Sequence, residues 1–204
     1  MKILILGGFL GSGKTTILLQ LAQYLTEASD TASDSKIVIL ENEAGQKSID
    51  NKLLESSGLF VKTLFNGCIC CSLSGEIVPA IIKIEETCHP EWLIIETTGL
   101  AYPGMIQENL KKAIWMDSVI CTVVDSFRWK RFLTPMYELI KGQVSDADII
   151  FLNKKDLVES TVLDEIKQDI AVFQKEKKQA LCFCVSALEP IPPEILNTVR
   201  EVIS

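Results

Sequence analysis

Gly8-Phe9-Leu10-Gly11-Ser12-Gly13-Lys14-Thr15-Thr16 follows directly on the apolar run Ile3-Leu4-Ile5-Leu6. The stretch fits the G-x-x-x-x-G-K-[ST] phosphate loop, in the strand-then-helix setting that the motif needs. Gly8, Gly11 and Gly13 allow backbone conformations closed to other residues, so successive N–H groups can turn toward phosphate oxygens. A helix beginning near Lys14 adds the positive end of its dipole. Behind it Ile17, Leu18, Leu21, Ala22 and Leu25 recur at helical spacing. Lys14 is placed to reach the β- and γ-phosphates, and the Thr15 hydroxyl to ligate Mg²⁺. The ligand implied is a nucleoside triphosphate with Mg²⁺.

Outward from this loop, short β-rich runs alternate with helical segments, which predicts a three-layer α/β/α fold around a mostly parallel sheet. Strands are expected near 2–6, 36–40, 59–64, 92–96, 118–125, 147–152 and 180–185, about seven in all. Helices fit near 14–28, 74–88, 104–113, 127–142, 161–176 and 192–203. Residues 27–35 read as a polar loop, and Pro190, Pro192 and Pro193 punctuate the entry to the last helix. With 204 residues and 48% apolar composition, one domain accounts for the whole chain.

The net charge of −7 comes without a long basic run, which argues against nucleic acid and anionic membranes as partners. No apolar stretch approaches the roughly 18–20 residues of a membrane span. Cleavage of the N-terminal apolar stretch as a signal would destroy the phosphate loop, so the chain reads as cytoplasmic. Seven cysteines, an odd number, do not suit a secreted disulfide framework and are expected as free thiols or metal ligands.

Asn153-Lys154-Lys155-Asp156 follows the apolar run Ile149-Ile150-Phe151-Leu152. Downstream of a phosphate loop it resembles the Asn-Lys-x-Asp guanine motif of GTPases. A carboxylate at Asp156 accepts from both the ring N–H and the exocyclic amine of guanine, whereas adenine would leave it unpaired. Asn153 is expected to tie this turn to the phosphate loop, and the Lys154 stem to lie over the base. Ser186-Ala187-Leu188, after the last strand, resembles the loop whose backbone N–H groups face the guanine oxygen.

Trp92-Leu93-Ile94-Ile95-Glu96-Thr97-Thr98-Gly99 is an apolar run ending in an acid, two hydroxyls and a glycine. Glu96 is the candidate second holder of Mg²⁺, directly or through water. Gly99 is placed to offer an N–H to the γ-phosphate, making the segment to Gly104 sensitive to hydrolysis. Asp125, at another strand end, reads as structural. Glu43 is a weak candidate for orienting the attacking water, and no arginine finger is evident.

Asn66-Gly67-Cys68-Ile69-Cys70-Cys71 places three sulfurs within four residues. Thiolates at Cys68, Cys70 and Cys71 suit Zn²⁺, with Cu(I), Co²⁺ and Ni²⁺ also open, provided the segment leaves regular β geometry. The alternative is that these cysteines are buried small hydrophobes. Cys182 and Cys184, alternating inside a strand, are expected in the core.

In order along the chain, 8–16, Glu41-Asn42-Glu43, 66–71, 95–103 and 153–156 resemble the CobW family of GTPases, related to the nickel-delivery GTPases UreG and HypB. The resemblance implies a metallochaperone GTPase that couples GTP/GDP state to handling of zinc, cobalt or a similar ion. It further implies Cys70 and Glu41 as metal-handling residues and a homodimer with nucleotide near the interface. Its partner would be a client metalloprotein or a separate metal-binding chain. Gln46 and Ala44 stand where the family commonly has glutamate and an aromatic, which would leave a more neutral, sulfur-weighted site. Residues 1–204 would then be the GTPase domain alone, without the C-terminal domain of several relatives. A second reading has the GTP state gating docking to a cobalamin- or metal-dependent client, with the cysteines serving only structure.

Overall fold

The computed structural model describes residues 1–28, 37–41, 59–63, 77–174 and 179–203. In chain order the strands are β1 (Lys2–Gly7), β2 (Ile37–Glu41), β3 (Leu59–Thr63), β4 (Trp92–Glu96), β5 (Ser118–Asp125), β6 (Ile149–Asn153) and β7 (Leu181–Cys184). The helices are α1 (Lys14–Glu27), α2 (Ile77–Cys88), α3 (Pro103–Ile114), α4 (Trp129–Leu133), α5 (Tyr137–Val144), α6 (Ser160–Phe173) and α7 (Pro193–Ile203).

Among the described residues the seven strands pair in parallel, in the order β3-β2-β4-β1-β5-β6-β7. A parallel strand is covered on both faces, so β1, β2, β4 and β6 are apolar nearly throughout and buried along their length. Alternation still sorts their side chains. Ile3, Ile5, Leu93, Ile95, Ile150 and Leu152 face α2, α3, α5 and α6, whereas Leu4, Leu6, Ile94, Phe151 and Trp92 face α1 and α7. The expected three layers are therefore present.

The predicted strands match to within two residues. One predicted helix does not: 127–142 is split into α4 and α5, with Pro135 in the break. Proline lacks the N–H that an unbroken helix would use and its ring crowds the preceding turn. α6 stops at Phe173, three residues before the expected end. Of the polar loop expected at 27–35, Glu27 ends α1 and residues 29–35 lie outside the described residues, as does the start of the helix expected from 74. The parallel order carries the C-terminal ends of β1, β4, β5 and β6 to one edge of the sheet, where an open α/β sheet binds ligands.

Candidate functional site

The phosphate loop leaves β1 at that edge and enters α1 through Gly13, whose φ of 96° lies in the left-handed region. A side chain there would be strained and would also collide with the Asn153 amide. Lys14 is buried, with Nζ 3.5 Å from Phe9 O. Thr15 donates its hydroxyl to Glu96 Oε1 at 2.8 Å. Thr16 is exposed at the start of α1, and Ser12 is fully buried with no hydrogen-bond partner for its hydroxyl among the described residues.

The Thr15–Glu96 pair joins the first turn of α1 to the end of β4, although 81 residues separate the two. A hydroxyl and a carboxylate side by side below a phosphate loop form an all-oxygen donor set, which fits Mg²⁺. Glu41 ends the neighbouring strand in register with Glu96, so two buried carboxylates stand at adjacent strand ends. Beyond Glu96, Gly99 packs against the phosphate loop so closely that a Cβ on it would lie 2.6 Å from Leu10 N.

Asn153 joins three segments. Its amide donates to Ser12 O at 2.7 Å, and its Oδ1 accepts from Lys154 N and Ala187 N, each at 2.8 Å. The expected tie between Asn153 and the phosphate loop is thus present in the geometry. Lys154, at φ 64°, sends Nζ to Gly11 O at 3.0 Å and to Asp125 Oδ2 at 2.6 Å. Asp156 lies exposed in the short 3₁₀ turn Lys155–Leu157. Ser186 is buried and Leu188 is 88% exposed, with Ala187 between them on Asn153.

Removing the Asn153 side chain strands a carbonyl and two N–H groups in a largely buried place. Asn153→Ala is expected to cost about 3 kcal/mol and to lower Tm by roughly 6–12 °C. An unchanged melting curve would show that the three segments hold together without it.

Asp125 does more than end a strand. It accepts from the Arg128 backbone N–H at 3.0 Å, from Arg128 Nε at 2.6 Å and from Lys154 Nζ. Burial pushes its carboxyl up, but the hydrogen bonds from Lys154 and Arg128 outweigh this and hold it below the ordinary carboxylate range. Arg128 also donates to Leu10 O at 2.8 Å.

Three residues outside every motif shape the site. Gln20 on α1 donates to Ala187 O and Glu189 O and accepts from Ile191 N, fixing the Ser186–Leu188 loop. Gln143 on α5 donates to Gly99 O at 2.9 Å and Ala101 O at 3.2 Å. Arg128 is the third. Gln143 left a trace in the sequence, a polar residue on the apolar stripe of Ile140 and Val144. Gln20 and Arg128 left none that periodicity can detect.

Cys68, Cys70, Cys71, Glu43, Ala44 and Gln46 lie outside the described residues. Cys182 and Cys184 pack partly buried against the core as expected, and burial raises the Cys182 thiol pKa. Among the described residues there is no group of three or more His, Cys, Asp or Glu arranged to hold a metal. No helix among them is long and apolar enough to cross a membrane.

Residues 2–180 match the family described as CobW/HypB/UreG, nucleotide-binding domain. The chain belongs to this family. It is 34% identical over 166 residues to the zinc chaperone YjiA of Escherichia coli K12, covering 76% of this chain and 49% of YjiA. It is 30% identical over 181 residues to the zinc-regulated GTPase metalloprotein activator 1 of Schizosaccharomyces pombe, covering 82% of this chain and 42% of the activator. The chain therefore spans about half the length of the curated relatives it matches. The hydrogenase maturation factor HypB of Archaeoglobus fulgidus superimposes with a TM-score of 0.70 at 15% identity, over 100% of this chain and 91% of HypB. At that identity the likeness speaks for the CobW/HypB/UreG fold alone.

Proposed function

We propose that residues 1–204 form one domain that binds guanine nucleotide with Mg²⁺, hydrolyses GTP, and couples nucleotide state to capture and release of zinc or cobalt. The observation that carries the nucleotide half is Asn153, whose one side chain binds the phosphate loop, the Asn153–Asp156 turn and the Ser186–Leu188 loop. Those three segments are the ones whose residue types suit phosphates, the guanine edge and the guanine oxygen.

In this reading Gly8, Gly11, Ser12, Gly13, Lys14 and Thr16 cradle the phosphates, and Gly99 meets the terminal one. Thr15 holds Mg²⁺, with Glu96 binding it directly or through water. Held there, the ion would supply positive charge against the negative charge of the phosphates. Lys14 and the loop N–H groups do the same from the protein side, so catalysis is mostly electrostatic. Asp156 accepts from guanine, and the Lys154 stem walls the base. Because Ala187 N–H is taken by Asn153, the exposed Leu188 offers its N–H to the guanine oxygen.

The metal half rests on the thiols of Cys68, Cys70 and Cys71, on Glu41 beside Glu96, and on relatives named for zinc. A cytosolic setting, which keeps such thiols reduced, suits it. The ion would pass to a client metalloprotein or a separate metal-binding chain, and a homodimer would bring two nucleotide sites together.

Titration of the purified protein with Zn²⁺ and Co²⁺ in its GDP and GTP-analogue states tests the coupling. Wild type is expected to differ at least about 10-fold in affinity between the two states. Cys70→Ala is expected to lose more than the roughly 10–100-fold typical of an outer-shell partner. Negligible binding that ignores the nucleotide would leave only the nucleotide half.

A further inference from the structure

Three consecutive carbonyls of the phosphate loop are each held by a side chain from outside it. Arg128 Nη2 donates to Leu10 O at 2.8 Å, Lys154 Nζ to Gly11 O at 3.0 Å and Asn153 Nδ2 to Ser12 O at 2.7 Å. In a planar trans peptide the C=O and the N–H of the next residue point in opposite directions. Holding these carbonyls outward therefore turns the N–H groups of Gly11, Ser12 and Gly13 the other way. Ser12 N–H closes a turn onto Phe9 O at 3.1 Å. Those of Gly11 and Gly13 have no hydrogen-bond partner among the described residues, as suits donors that await an anion.

Two of the three holders belong to the Asn153–Asp156 stretch. Arg128 belongs to no motif, yet it is held from several sides. Its Nε is bound to Asp125 Oδ2 at 2.6 Å, its backbone N–H to Asp125 Oδ1, and Asp125 is itself shared with Lys154. The guanidinium lies 5.1 Å from the Phe132 ring centroid, and Phe132 packs on Phe9 of the loop at 4.9 Å. A guanidinium binds the carboxylate through Nε and the carbonyl through Nη2 in one rigid planar fork; an ammonium can also bind both, as Lys154 does, but from a single rotatable point that fixes no direction.

Leu10, whose carbonyl Arg128 holds, is also the residue that Gly99 packs against, on its N and Cα side. We propose that Arg128 is a positioning residue for the triphosphate end of the site: by fixing Leu10 O it aims Gly11 N–H at the terminal phosphate. The proposal rests on the GTPase reading above. It predicts a larger effect on triphosphate chemistry than on diphosphate binding.

The test compares wild type, Arg128→Ala, Arg128→Lys and Arg131→Ala, the last removing an exposed arginine from α4, the short helix that Arg128 precedes. Measured quantities are kcat and KM for GTP, affinities for GDP and a non-hydrolysable GTP analogue, and Tm. Arg128→Ala is expected to lower kcat roughly 10- to 50-fold. It should leave GDP affinity within about 3-fold of wild type, since Lys154 and Asn153 still hold the inner carbonyls. Arg128→Lys keeps stem and charge, so it should recover Tm but not kcat. Arg131→Ala should behave as wild type. Equal losses of GDP affinity and kcat in Arg128→Ala would make Arg128 a general prop and overturn the proposal, as would wild-type kcat in Arg128→Lys. A wild-type protein that binds no GTP would instead sink the GTPase reading.

Discussion

Lys14→Ala is expected to lower kcat for GTP hydrolysis on the order of 10³-fold. Lys14 is buried under the loop that it serves, and its ammonium sits within 3.5 Å of Phe9 O rather than in solvent. In that position it is prepaid in orientation: no reorganisation is needed when negative charge builds on the transferring phosphate. Alanine removes the loop's own cation and leaves its N–H groups as the remaining donors. Steady-state phosphate release with saturating Mg²⁺ measures the loss, and a melting curve checks that the loop still folds. Near-normal turnover would remove residues 8–16 from the chemistry altogether.

Asp156→Ala is expected to weaken GTP about 10³-fold while changing ATP affinity by no more than about 3-fold. The asymmetry follows from donors and acceptors. Guanine offers two donors to a carboxylate, and adenine offers an acceptor at the ring position, so only guanine loses its partner in the variant. Asp156 is exposed at the tip of the 3₁₀ turn, whereas Asn153 is buried three residues earlier, holding that tip against the phosphate loop. The substitution therefore leaves the scaffold intact. Calorimetric titration with both nucleotides reads the effect, and equal losses for GTP and ATP would count against base reading at this residue.

Much of this was legible beforehand, for reasons that can be stated. Parallel strands buried on both faces leave apolar runs such as Leu93-Ile94-Ile95 and Ile149–Leu152, and these fixed seven strands to within two residues. The phosphate loop and the Asn153–Asp156 turn were readable because their chemistry demands particular residues at close spacing. The Thr15–Glu96 contact brings together two residues that were each singled out as Mg²⁺ holders, although the contact itself was not foreseen.

What stayed hidden was of another kind. Arg128 meets Leu10 across 118 positions, and Gln20 meets Ala187 across 167, through backbone groups that every residue possesses. A hydrogen bond to a backbone carbonyl leaves no signature at the accepting position. Asp125 and Arg128, three apart after a strand, offered a local hint of an ion pair but not of its reach to the loop. The break between α4 and α5 was legible in Pro135, and the helical periodicity on both sides of it masked the signal. The thiols at 68–71 lie outside the described residues, so the metal half of the account stands on residue type and on relatives.

The proposed function requires that the three segments gathered by Asn153 form a site for guanine and not merely for phosphate. Its most direct test is the relative affinity of the unmodified protein for GTP and ATP in the presence of Mg²⁺. An advantage of GTP over ATP of about 10³-fold or more is predicted; indistinguishable affinities would contradict it.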